Sequence, residues 1–113
     1  MERYKRIFKE NSDGEQVLKK LGFSFKKSDI QKTFKLKSTD QLIQNLYTNN
    51  PDDPHKENTI ILLIGHIDVV KKGRNPDEGG FGNVVSIVKD LKAKSLSKED
   101  LDAIGFYFRS NVK

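Results

Sequence analysis

The chain has 113 residues, 35% of them apolar and 33% charged, with a net charge of +5 and no cysteine. This length predicts a single domain over residues 1–113, with one modest core and polar loops. The absence of cysteine excludes a disulfide framework, thiolate zinc sites and a cysteine nucleophile.

Tyr4, Ile7 and Phe8 have helical spacing and predict a short helix over 2–10. Ser12-x-x-Glu15 has the form of a capping box, and Val17, Leu18 and Leu21 follow as an apolar stripe that Gly22 can end. A second helix is therefore expected over 13–21. Phe23-x-Phe25 and Thr33-Phe34-x-Leu36 alternate apolar with polar residues, as half-buried strands do. Ser38-x-x-Gln41 repeats the capping pattern ahead of Leu42, Ile43, Leu46 and Tyr47, which predicts a helix over 39–48. Residues 49–58 read as a loop.

Thr59-Ile-Ile-Leu-Leu-Ile-Gly-His-Ile-Asp-Val-Val-Lys71 is the one long apolar run. Its β-branched residues predict a central strand over 59–71, buried on both faces. Ile61 and Leu63, or their neighbours Leu62 and Ile64, should be nearly inaccessible to water. At five apolar residues before Gly65-His66, the run is far too short to span a bilayer. Residues 72–82 form a second loop. Gly79-Gly-Phe-Gly82 within it lacks the lysine and threonine of a phosphate-binding Walker loop and reads as a turn. Val84, Val85, Ile87, Val88 and Leu91 fit a helical stripe, whereas their β-branching favours a strand, so both remain open. Ser97-x-x-Asp100 opens a last helix with Leu101, Ile104 and Phe108 on one face. The expected fold class is α+β: a single small domain of short helices packed on a small sheet.

The charge is uneven. Residues 1–40 hold 11 Lys/Arg against 6 Asp/Glu, a net of +5, whereas residues 41–113 hold 10 of each. Lys19, Lys20, Lys26, Lys27, Lys32, Lys35 and Lys37 are the candidate nucleic-acid contacts, because clustered lysines attract polyanions by releasing counterions.

Gly65-His-Ile-Asp-Val-Val70 resembles the Gly-His-x-Asp-Val-Val-Pro signature of the M20 family of zinc peptidases and deacylases. The resemblance implies zinc ligation by His66 and an orienting role for Asp68. Asp77-Glu-Gly-Gly80 is a looser counterpart of the family's bridging aspartate motif. Lys71 stands where the family has proline, the interval from His66 to Asp77 is short, and no Glu-Glu pair supplies a base. The other histidine, His55, precedes the motif. These departures predict that His66, Asp68 and Asp77 do not assemble a catalytic site. A second stretch, Glu2–Ile7 with Glu15–Phe23, resembles the PUB domains, helical modules that bind peptide tails.

Together these features predict a small non-catalytic, regulatory binding module. Its basic N-terminal third would contact nucleic acid or an acidic protein surface. The alternatives are a protein-interaction adaptor and a degenerate metallohydrolase-like domain without activity. No cofactor and no membrane partner is expected. The N-terminus lacks the apolar core of a secretory signal, so the expected location is the cytoplasm.

Overall fold

The computed structural model describes residues 11–46 and 54–111; the helix expected over 2–10 lies outside them. The described residues form α1 (Asn11–Lys20), α2 (Lys27–Thr33), α3 (Asp40–Leu46), α4 (Pro54–Lys71), α5 (Phe81–Ala93) and α6 (Lys98–Ser110). Two single 3-10 turns, Lys37–Thr39 and Pro76–Glu78, lie between α2 and α3 and between α4 and α5. No strand occurs among the described residues, so the expected α+β fold is corrected to an all-helical one.

The central correction is α4. The run expected as a strand over 59–71 is the greater part of an 18-residue helix that starts at Pro54, inside the expected loop over 49–58. Proline suits a first helical turn, where its missing N–H has no partner to lose. Ile60, Ile61, Leu63, Ile64, Ile67 and Val69 are all buried, and Leu62 and Val70 are half-buried. A helix apolar on every side sits inside a bundle, and α4 contacts α2, α3, α5 and α6. Burial of this surface outweighs the small helix penalty of β-branched residues. The helix ends where Gly73 takes a φ of +86°. Its N–H donates to the Val70 carbonyl and the Arg74 N–H to the Val69 carbonyl, both at 3.0 Å. These two bonds make a Schellman cap, which needs the left-handed residue that glycine supplies.

The strands expected at 23–25 and 33–36 are also absent. Thr33 closes α2, and its hydroxyl donates to the Asp29 carbonyl at 2.8 Å. The Thr39 hydroxyl sits 2.9 Å from the Thr33 carbonyl and 2.8 Å from that of Leu36, which ties up the 3-10 turn. Phe25 and Ile30 enter the core, and Phe34 packs against it, meeting Phe108 edge-on at 6.5 Å. The alternation of apolar residues there reflects a short helix and its flanks.

Other local signals match the structure. The helix expected over 13–21 is α1, and Gly22, at φ +96°, ends it. Ser97 caps α6 by accepting the Asp100 N–H at 3.1 Å. The open segment 84–91 is helical, within α5. α3 forms most of the helix expected over 39–48, whose last two residues lie outside the described ones. Neither Ser12 nor Ser38 is a helix cap: α1 already runs through Ser12, and Ser38 lies in a 3-10 turn.

Tyr107 of α6 is buried, and its hydroxyl donates to the Phe25 carbonyl at 3.4 Å. Burial, with smaller contributions from Glu15 and Asp29, raises its pKa above the ordinary 10.0. The folded chain thus holds this proton to higher pH than the unfolded chain. Its contribution to stability is complete below about pH 10 and is lost as pH climbs through the folded value. Tyr107→Phe should flatten this alkaline loss in urea midpoints measured against pH. Parallel curves for the two proteins above pH 10 would contradict it.

Candidate functional site

The M20-like residues do not converge. His66 lies inside the bundle, 2% exposed. Its Nδ1 is 2.7 Å from the Leu62 carbonyl oxygen, which only accepts, so Nδ1 carries the proton and donates. Nε2 is buried without a hydrogen-bond partner, and the ring meets Phe81 edge-on at 6.0 Å. Asp68, two residues on, projects about 200° around the helix from His66. Its carboxylate pairs with Lys72 at 2.9 Å. The Asp77 carboxylate accepts the backbone N–H of Lys37 at 3.2 Å. No group of three or more His, Cys, Asp or Glu side chains able to hold a metal ion occurs among the described residues. The described residues do not fit a dinuclear zinc centre. The strand that precedes the motif in the M20 pattern is here the body of α4.

The basic candidates divide into two sets. Lys19 and Lys20 end α1 among carboxylates. Lys19 lies 3.8 Å from Glu15, and Lys20 lines a shallow cleft with Asp13, Glu99 and Asp100. Lys26, Lys27, Lys32, Lys35 and Lys37 are exposed on α2 and its flanks.

Sequence reasoning missed three further cations at the end of α4: Lys71, Lys72 and Arg74. The Lys71 ammonium donates to the Ser24 carbonyl and α2 packs on α4, which places Lys26 and Lys27, at the start of α2, near this helix end. On the other flank, the Lys37 N–H on the Asp77 carboxylate holds Lys37 beside the turn that follows Arg74. Cations distant in sequence are therefore brought to one edge, where the partial negative charge of a helix C-terminus favours them. The nearby carboxylates are engaged locally. Asp29 accepts the Lys26 N–H at 3.0 Å, Asp68 pairs with Lys72, and Glu78 accepts from the Asn75 amide at 3.2 Å. The sequence signal for this edge was present in Lys71-Lys-Gly-Arg74, but its even charge balance over 41–113 hid it.

Among the described residues Phe81 and Val85, one turn apart on α5, are the large apolar side chains left most open, at 48% and 41% exposure. No helix among the described residues is long and apolar enough to cross a membrane. No family model matches the chain, and no curated protein or solved structure is significantly similar to it.

Proposed function

We propose that the chain is a small non-catalytic binding module that holds nucleic acid through the basic edge at the end of α4. The supporting observation is the Lys71 contact with Ser24, which joins Lys26 and Lys27 to Lys71, Lys72 and Arg74. Lysines of this kind neutralise phosphates without reading bases. Binding is then weakly sequence-specific, and log affinity falls linearly with log salt by about 0.9 per phosphate contacted on duplex DNA. A cytoplasmic setting belongs to the same reading.

The double reversal Lys26→Glu with Lys27→Glu should weaken binding to every sequence and reduce the salt slope. Fluorescence anisotropy with labelled duplex DNA and RNA, at low and at physiological salt, measures both. No binding even at low salt would sink the reading. The second reading, a protein-interaction adaptor, draws its support from the exposed pair Phe81 and Val85. It expects those lysines to be idle toward nucleic acid at physiological salt.

A further inference from the structure

A cleft of about 360 Å³ opens between the end of α4 and the outer face of α5, next to the basic edge. Its lining includes Asp68 from the last turn of α4, Lys72 and Arg74 from the cap, and Asn83 and Ser86 from α5. Asp68 and Lys72 are one turn apart, and so are Asn83 and Ser86, so the end of α4 with its cap and the face of α5 each turn two polar groups toward the same space.

The polar groups of the cleft differ in how far they are already committed. The Lys72 ammonium neutralises Asp68, whose side chain is 11% exposed. Among the described residues Arg74 has no carboxylate partner, and the exposed side chains of Asn83 and Ser86 have no hydrogen-bond partner. The backbone of Arg74 is fixed by its N–H on the Val69 carbonyl, so the guanidinium is carried on a rigid base. A guanidinium takes a phosphate in bidentate fashion. A carboxylate only accepts, and therefore favours a ligand that presents hydroxyl donors. Asn83 and Ser86 can serve either need. The volume lies in the range of small-ligand sites.

We infer that this cleft takes a phosphorylated ribose unit, with the phosphate on Arg74 and sugar hydroxyls on Asp68, Asn83 and Ser86. The inference rests on the nucleic-acid reading and deepens it by naming the unit that the edge seats. A free nucleotide and a residue of an RNA strand share a phosphate and a ribose 2′-hydroxyl, the free nucleotide adding a 3′-hydroxyl, and the test separates them.

The test is a titration of the isotope-labelled protein, followed by amide NMR, with ribose 5-phosphate, deoxyribose 5-phosphate, inorganic phosphate and a single-stranded RNA oligonucleotide. Saturable shifts at Arg74, Asn83 and Ser86 with ribose 5-phosphate are expected, with weaker binding of the deoxy sugar. Arg74→Ala should weaken binding about tenfold, the scale of one lost charge-assisted hydrogen bond. Ser86→Ala, at an exposed site, should reduce ribose 5-phosphate binding while leaving inorganic phosphate unchanged. Saturation by the free sugar phosphate that the RNA does not displace assigns a free nucleotide. Saturation by the RNA alone, lost in Arg74→Ala and Ser86→Ala, assigns a strand residue. If RNA binds with shifts only around Lys26 and Lys27, the inference falls and the nucleic-acid reading stands. If the sugar phosphate binds and no RNA or DNA does, the cleft stands and that reading falls. Equal affinity for phosphate and both sugars would overturn the ribose assignment.

Discussion

Leu63→Ala is expected to destabilise the domain by about 2–5 kcal/mol. Leu63 is fully buried at the centre of α4, in the core shared with Ile30, Leu91 and Phe108. Truncation removes the transfer free energy of three carbons and leaves a cavity that surrounding helices can only partly close. Small domains have about 5–15 kcal/mol in total, so the loss is a large share of the whole. Leu62→Ala, at a half-buried position, should cost less. Urea denaturation followed by far-ultraviolet circular dichroism compares the two. A Leu63→Ala protein with the parental midpoint would contradict the central placement of α4.

Gly14→Ala should also destabilise, against the usual sign of that substitution. In an open helix, alanine is more favourable than glycine by about 1 kcal/mol. Gly14 lies where α1 presses on α6: an added Cβ would sit 2.6 Å from the Tyr107 Cβ and overlap the Ala103 carbonyl oxygen. Neither atom is the end of a flexible side chain, so the two helices must move apart. Overpacking of this kind costs about 1–3 kcal/mol. Gly82, in the first turn of α5, has nothing within 4 Å of an added Cβ. Gly82→Ala should stabilise by about 0.5–1 kcal/mol, the ordinary gain. Thermal denaturation of the two variants should therefore show opposite shifts. A Gly14→Ala protein that melts above the parent would rule out the close α1–α6 contact.

Local signals in the sequence were reliable where a few neighbouring residues decide the outcome. Gly22 ends α1 through its own φ, and Ser97 caps α6 through a bond to a residue three positions on. The candidate lysines are exposed because charged ends stay in water. The apolar run at 59–71 was legible as core, and Ile61 and Leu63 are buried as expected. Its conformation was not, because an element apolar on every side has no period to separate helix from strand. Its length was the unused signal, since 13 residues exceed an ordinary strand. Phe23-x-Phe25 and Thr33-Phe34-x-Leu36 were misleading for a related reason: two alternations are too few to distinguish a period of 2.0 from one of 3.6.

The sequence by itself therefore determined where the core lies, where several helices end and which cations face water. These outcomes depend on the transfer of single side chains from water and on backbone geometry within one turn. Only the tertiary structure decided that the core run is a helix, because four neighbouring helices surround it and take up its apolar surface. The same packing turned His66 inward against Phe81, while Asp68 pairs with Lys72 one helical turn on, so the M20-like pair is separated. It also brought Lys71 to the Ser24 carbonyl across 47 positions of sequence. Such contacts depend on how helices cross, and no local pattern of residues specifies a crossing.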